Sequence, residues 1–242
     1  MSSDHSDVAI YIKTHNRKGI TEKCLERISQ ICSETGAVLF LIDDFSDEYD
    51  LDFLRQYTPH VRQMMNTHLS IRERCGLCRH DNLVEFKDST FAYCYFTDND
   101  VFHDRGFLDE GKRLELLYKE PVTLYRSNIH VKTHIEGCFY SQFQGTSLLF
   151  SKEGKFLEVS INSLEKKSPR GWDWRMGSYN KFVFSEYSYV EHFQKDSVNS
   201  KNPKCMVSWR DGIVGDIAEN LLPSFQKEIL DGPMREFYQY ES

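Results

Sequence analysis

The chain has 242 residues, a formal net charge of -7 and a composition that is 40% hydrophobic and 28% charged, as in water-soluble globular proteins. The acidic balance argues against nucleic acid as the main partner, because no surplus of basic side chains exists to neutralise phosphates. No apolar run approaches the roughly 18 residues of a membrane-spanning helix, and no signal peptide precedes the first predicted strand. The seven cysteines form an odd number, so we expect a protein of the reducing cytoplasm.

Short β-rich runs alternate with amphipathic stretches in the first part of the chain. In chain order the predicted elements are a strand at 7–14, a helix at 18–36, a strand at 37–46, a short helix at 51–56, a strand at 61–66, a helix at 71–86 and a strand at 91–96. The first helix carries Ile20, Cys24, Leu25 and Ile28 on one face, and Gly36 is predicted to end it. This alternation predicts an α/β fold with a mainly parallel sheet.

The later part of the chain predicts a mixed sheet within the same domain. Helices are predicted at 106–120, at 152–166, after a turn within 168–177, and around Pro223. Strands are predicted at 122–131, 144–152 and 187–193. No linker rich in Pro, Gly or Ser marks a boundary, so we expect one domain over residues 1–242, whose later part closes a site over the earlier part.

Acidic side chains follow two of the predicted parallel strands, as Asp43-Asp44 and as Asp98-Asn99-Asp100. Such sheets bind ligands outside the carboxyl ends of their strands. The acids could form a surface turn, a divalent metal site for a phosphorylated substrate, or an acid/base pair as in glycoside hydrolysis. A calcium loop of the EF-hand type lacks its further ligands and its glycine.

Electrostatics favours the metal site among these alternatives. A diphosphate near a carboxylate is repelled by roughly 4 kcal/mol at 4 Å and an effective dielectric constant near 20. A divalent cation between them turns the repulsion into attraction and stabilises a departing diphosphate. Mg²⁺ and Mn²⁺ both prefer oxygen ligands of this kind.

Four motifs in order carry a resemblance to a known family. They are Lys13-Thr14-His15-Asn16-Arg17, Asp43-Asp44-Phe45-Ser46, Cys78-Arg79-His80-Asp81-Asn82 and Asp98-Asn99-Asp100. Together they resemble the nucleotide-sugar glycosyltransferases of GT-A fold, especially the large inverting family with a D-x-D motif. The third motif matches the family's Ala-Arg-Asn pattern in part. The resemblance covers Val8 to Phe107, and more loosely extends to about residue 200.

The resemblance implies a donor-binding set at the ends of these elements. Its members are Thr14, Asn16, Arg17, Asp43, Asp44, Arg79, Asp98 and Asn99. The first three are expected to line the nucleoside pocket, and one of the two acids after the second strand is expected to bind the base, most often uracil. Arg79 is expected near the diphosphate or the sugar, and Asp98 near ribose or sugar hydroxyls. The alternatives are turn or capping roles for the acids after the second strand and an exposed helix charge for Arg79.

The resemblance also implies metal ligands and a catalytic base. Asp100 is expected to hold a divalent cation, Mn²⁺ or Mg²⁺, with His192 as a further ligand. Asp173 lies between two tryptophans at a predicted helix start, where the family keeps its base, although the family's usual Glu-Asp pair is Trp172-Asp173 here. The aromatic neighbours would raise the pKa of the carboxyl group by desolvation, which suits a base. Alternatively, Asp173 is an acid favoured by the helix dipole and His192 is a structural histidine.

The resemblance therefore implies a metal-dependent glycosyltransferase that moves a sugar from a UDP-linked donor to a hydroxyl of a glycan, glycoconjugate or other acceptor, with inversion. Residues 1–107 would bind the nucleotide, and residues 108–242 would bind the acceptor and end in a helix. One alternative is a nucleotidyltransferase that makes nucleotide sugars, although its usual glycine-rich first loop is missing. A second is a non-catalytic carbohydrate-binding protein on the same fold. Cys75 and Cys78 form a C-x-x-C without a second ligand pair, and we interpret them as core residues.

Overall fold

A mixed sheet with helices on both faces forms the centre of the computed structural model, which describes residues 3–64, 69–125, 147–165, 176, 179, 181–193 and 221–237. The strands are β1 (Val8–Thr14), β2 (Val38–Asp43), β3 (Val61–Gln63), β4 (Tyr93–Asp98), β5 (Val101–His103), β6 (Val122–Thr123), β7 (Ser147–Ser151), β8 (Val183–Phe184) and β9 (Val190–His192). The helices are α1 (Lys18–Thr35), α2 (Leu51–Arg55), α3 (Ile71–Asp88), α4 (Phe107–Tyr118), α5 (Lys155–Glu165) and α6 (Pro223–Asp231), followed by a 3₁₀ helix (Pro233–Phe237).

The main sheet combines a parallel half with an antiparallel half. Within the described residues it has seven strands in the order β3-β2-β1-β4-β7-β6-β8. The first four strands of this order are parallel to one another, β7 runs antiparallel to β4 and β6, and β8 is parallel to β6. The predicted α/β fold with a mainly parallel, mixed sheet is confirmed.

The central strand β1 is apolar on both faces because helices cover both of them. Val8 and Ile10 belong to one core cluster, together with residues of α1 and α4. Ala9 and Tyr11 point to the opposite face and join a second cluster, together with residues of α3 and α5. This arrangement explains why the strand is a continuous apolar run rather than an alternating one. It also fixes the position of the carboxyl end of β1 relative to the neighbouring strands.

Local signals explain where the two long helices of the parallel half begin and end. The backbone of Gly36 is left-handed, with φ 81°, and its N–H donates to the carbonyl oxygen of Cys32 at 2.8 Å, which ends α1 as predicted. Helix α3 begins with a capping box in which Ser70 and Glu73 bind each other's backbone N–H groups. This start places Arg74 and Arg79 near the strand ends.

A second, two-stranded sheet pairs β5 with β9, antiparallel. The predictions include β9 within the strand at 187–193 but miss β5 and β8, which follow no local pattern and depend on partners far away in the chain. The predicted strand at 122–131 begins as β6, and its residues beyond Tyr125 lie outside the described ranges, as does Asp173. Among the described residues, no helix is long and apolar enough to cross a membrane.

Candidate donor-binding site

Three parallel strands bring their polar ends to one edge of the sheet. In the strand register, Thr14 of β1 lies opposite Asp43 of β2, and Lys13 lies opposite Asp98 of β4. The carboxyl ends of β1, β2 and β4 are thus level with one another. Residues from three of the four motifs consequently meet at this edge, although the chain separates them by tens of residues.

Asp43 organises the loop that follows β2. Its carboxylate accepts hydrogen bonds from Thr14 Oγ1 at 3.1 Å, from Ser46 Oγ at 2.5 Å and from the backbone N–H of Ser46 at 3.0 Å. The loop turns through Phe45, whose φ is 56°. The side chain of Asp43 is buried, so the carboxylate fixes the shape of this part of the site.

Asp44 is a fully buried carboxylate held between two cations. Lys13 Nζ lies 3.2 Å from its Oδ2 atom, and Arg74 Nε donates to its Oδ1 atom at 2.6 Å. The side chains of Lys13 and Arg74 are 15% and 13% exposed, so both cations face the edge of the site while remaining largely shielded from water. Lys13 and Arg74 were not predicted as site residues, because the pairing joins a strand end to the first turn of a distant helix.

Two asparagine side chains tie the loops together. Asn16 has a left-handed backbone, with φ 48°, and its Oδ1 atom accepts from the N–H of Asp47 at 2.7 Å. Asn99 Nδ2 donates to Thr21 Oγ1 at 2.6 Å and to the carbonyl oxygen of Asn16 at 3.2 Å. These bonds link the loops after β1, β2 and β4 into one unit.

Arg79 holds Asp98 at the end of β4. The guanidinium is buried over the ring of Phe96, and its Nη2 atom donates to Asp98 Oδ1 at 3.1 Å and to the carbonyl oxygen of Thr97 at 3.2 Å. The Asp98 side chain remains 30% exposed. Burial raises the pKa of Asp98, and the charge of Arg79 opposes that shift in part. The Asp98 carboxyl group is therefore held in one orientation by Arg79 and is partly accessible to solvent.

Asp100 lies at the centre of a buried charge cluster. Its Oδ2 atom pairs with Arg17 Nη1 and lies 3.2 Å from His192 Nε2. The backbone also fixes this contact, since β5 pairs Val101 with His192 and the N–H of Phe193 donates to the carbonyl oxygen of Asp100 at 2.9 Å. Asp100 and His192, which are 92 positions apart in the chain, thus lie in contact, and their role as metal ligands stays a prediction.

The protonation of this cluster follows from its charges. Burial acts to raise the pKa of Asp100, but the charges and hydrogen bonds of His192 and Arg17 outweigh it and hold the pKa below its ordinary value. Burial acts to lower the pKa of His192, but Asp100 outweighs it and holds the pKa above its ordinary value. A carboxylate and a readily protonated imidazole thus face each other.

The donor atoms at Asp100 suit a divalent cation. Asp100 Oδ1 is buried and accepts no hydrogen bond from the described residues, and a buried acceptor of this kind is costly unless a positive group binds it. His192 Nε2 lies 3.2 Å from Asp100 Oδ2, so a carboxylate and an imidazole, both of which can bind Mn²⁺, lie side by side. Among the described residues, no group of three or more His, Cys, Asp or Glu side chains is arranged to hold a metal. Cys75 and Cys78 therefore belong to no such group.

Solved structures of similar fold include glycosyltransferases. TarS 1–349 of S. aureus, in complex with UDP-GlcNAc, is 13% identical over 92% of this chain and 70% of that one, with a TM-score of 0.54. GalNAc-T7 with UDP, GalNAc and Mn²⁺ is 12% identical over 76% of this chain and 42% of that one, with a TM-score of 0.56. The fold is the GT-A fold. No protein-family model and no curated protein sequence matches the chain.

Most of the predicted site residues lie in the described part of the chain. The residues predicted to bind the donor lie along one edge of the sheet, and Asp100 and His192 lie side by side. Asp173 lies outside the described ranges, so its predicted role stays a prediction. The pairing of Arg17 with Asp100, like that of Arg74 with Asp44, is a contact that the motif pattern did not indicate.

Proposed function

We propose that the protein is a metal-dependent glycosyltransferase that moves a sugar from a nucleotide diphosphate donor to a hydroxyl acceptor with inversion. UDP is the proposed nucleotide. The observation that carries the proposal is the convergence of the ends of β1, β2 and β4 with Asp98, Asp100 and His192 at one edge of a GT-A sheet. TarS and GalNAc-T7, which share the fold, are bound to UDP-GlcNAc and to UDP with Mn²⁺, and these complexes support the choice of donor.

The nucleoside would bind against the loops after β1 and β2. Thr14 and Asn16 shape this region through the hydrogen bonds of Asp43 and Asp47, so both loops are already ordered before a ligand arrives. Asp43 and Asp44 are the proposed partners of the base, although both are committed to internal hydrogen bonds. We expect the backbone and the rim of these loops to contribute to recognition of the base.

The diphosphate and the sugar would bind in front of β4. Arg79 and Arg17 supply positive charge at this edge, and Asp98 and Asn99 follow the strand directly. Asp98 would accept hydrogen bonds from ribose or sugar hydroxyls, since its carboxyl group is oriented by Arg79 and partly exposed. Arginine suits a diphosphate because its planar fork binds two phosphate oxygens at once.

Asp100 and His192 are the residues that would hold a divalent cation, Mn²⁺ or Mg²⁺. When bound, the cation would offset the charge that develops on the departing diphosphate. Asp173 is the proposed base: it takes the proton of the acceptor hydroxyl as that oxygen forms a bond to the anomeric carbon and the bond from this carbon to the diphosphate oxygen breaks. We propose residues 1–107 as the nucleotide-binding half and residues 108–242 as the acceptor-binding half.

A thermal-shift screen of nucleotide sugars, with and without Mn²⁺, tests the proposal. A ligand that binds the folded state stabilises it by about 2.7 kcal/mol at one hundred times its dissociation constant. We expect the largest shift with a UDP-sugar and Mn²⁺ together, and a loss of that shift in Asp98→Asn. The control Asp52→Asn removes an exposed carboxylate paired with Arg55 and should respond like the parent protein.

The other outcomes of the screen separate the alternatives. A shift that requires a nucleoside triphosphate, followed by release of diphosphate from it, would support a nucleotidyltransferase. Binding of nucleotide sugars with no turnover of any donor would support a non-catalytic carbohydrate-binding protein. A screen in which no nucleotide sugar shifts the unfolding temperature would overturn the proposed function.

A further inference from the structure

The guanidinium of Arg17 occupies an oxygen of Asp100 that a bound cation would also use. Arg17 Nη1 pairs with Asp100 Oδ2, and Arg17 Nη2 donates to the carbonyl oxygen of Phe193 at 2.6 Å. The same Asp100 oxygen lies 3.2 Å from His192 Nε2. Asp100 Oδ2 therefore contacts both the guanidinium of Arg17 and the imidazole of His192, the proposed metal ligand.

The arginine is held firmly in this position. Arg17 has a left-handed backbone, with φ 61° and ψ 47°, directly before α1, so its side chain leaves the chain in a direction that an ordinary helix start would not give. Its side chain is 16% exposed, and Phe193, whose carbonyl it binds, directly follows β9. The contact thus joins the loop after β1, the D-x-D motif and the strand that carries His192.

We infer that Arg17 is an internal counter-cation, which keeps Asp100 from binding a divalent cation until a nucleotide diphosphate draws the guanidinium away. The inference rests on the proposed function. A divalent cation on Asp100 Oδ2 would lie against a positive guanidinium, and the two would repel each other strongly in this shielded place. The phosphate oxygens of a nucleotide offer the same guanidinium a bidentate partner of higher charge.

The buried Oδ1 atom of Asp100 supports this exchange. It accepts no hydrogen bond from the described residues, so the carboxylate is only partly satisfied while its other oxygen contacts Arg17 and His192. When Arg17 moves to the diphosphate, both carboxylate oxygens become available beside His192. Nucleotide binding and metal binding should then strengthen each other by the same factor, because coupling between two sites is reciprocal.

Manganese binding measured by electron paramagnetic resonance of free Mn²⁺ tests the inference without any measurement of activity. In the absence of nucleotide, Arg17→Gln should bind Mn²⁺ at least about tenfold more tightly than the parent protein. Arg17→Lys keeps the positive charge and should bind Mn²⁺ as weakly as the parent. The matched control Arg105→Gln removes an exposed arginine paired with Glu34, loses the same charge and should leave the affinity unchanged.

Addition of UDP supplies the second arm of the test. UDP should raise the Mn²⁺ affinity of the parent by at least about tenfold and that of Arg17→Gln by clearly less. One outcome would overturn the inference and leave the proposed function standing. In it, the parent binds Mn²⁺ with UDP, but without UDP the Mn²⁺ affinity of Arg17→Gln is no higher than that of the parent. No binding of Mn²⁺ by the parent even with UDP would overturn both.

A variant that fails to fold does not remove the test. Circular dichroism identifies such a case, and the coupling is then measured in the parent alone, by calorimetric titration of UDP with and without Mn²⁺. The inference requires a coupling of at least about tenfold between the two ligands. A coupling clearly below about tenfold would overturn it.

Discussion

His103 is a buried histidine whose protonation should make the stability of the protein depend on pH. It ends β5, its side chain is fully buried, and its Nε2 atom lies 3.1 Å from the hydroxyl of Tyr95. Its backbone oxygen accepts from Arg27 Nε at 2.8 Å, and its ring packs against Phe107. Burial, helped by the charge of Arg27, lowers the pKa of His103 to about 3 from an ordinary value of 6.5.

The size and sign of the effect follow from the two pKa values. The unfolded chain binds a proton at His103 below about pH 6.5, whereas the folded protein does not bind it until the pH nears 3, so stability is full above pH 6.5 and falls as the pH is lowered. The slope approaches about 1.4 kcal/mol per pH unit for one proton. Between about pH 7.5 and pH 5, the contribution of His103 to the free energy of unfolding should fall by about 2 kcal/mol.

Denaturant unfolding at several pH values measures this loss. His103→Gln cannot be protonated, so its free energy of unfolding should fall by about 2 kcal/mol less than that of the parent over the same range, whatever its stability at pH 7.5. Val101→Ala is the matched control, because it weakens the same buried strand without removing a titratable group. Equal pH dependence in the parent and in His103→Gln would refute the reasoning.

Two further predictions concern packing and buried charge. Asp44→Asn leaves two shielded cations without their carboxylate, so it should lower the free energy of unfolding by about 3–5 kcal/mol, whereas Asp52→Asn, at an exposed pair, should cost less than about 1 kcal/mol. Equal losses in denaturant unfolding would contradict the buried network. Gly232→Ala places a Cβ atom 2.5 Å from the carbonyl oxygen of Glu228, so it should lower the unfolding temperature by several degrees, with a cost of about 1–3 kcal/mol, and an unchanged temperature would contradict the close approach.

The elements that sequence patterns predict here are those whose signals are local. The apolar run of β1, the periodic face of α1 and the glycine that ends it are all visible within one segment. The three residues of β5 and the two of β8 carry no such pattern. They become strands because partners far along the chain hydrogen-bond to them, which a single segment cannot show.

The candidate site divides in the same way. The position of the acids at strand ends follows from the alternation of strands and helices, so Asp43, Asp98 and Asp100 could be placed at one edge in advance. The side-chain partners of these acids could not be predicted from the sequence. Arg74 reaches Asp44 and Arg17 reaches Asp100 only because the sheet register brings distant loops together, and both contacts connect residues that no motif links.

Release of UDP from a UDP-sugar, measured with a hydroxyl acceptor in the presence and absence of Mn²⁺, tests the central claim most directly. We expect the parent to release UDP only with the divalent cation, and Asp100→Asn to be slower by at least about a hundredfold, since a cation at a leaving group supplies several kcal/mol. The contradicting result would be that Asp100→Asn, assayed without any divalent cation, releases UDP as fast as the parent does with Mn²⁺.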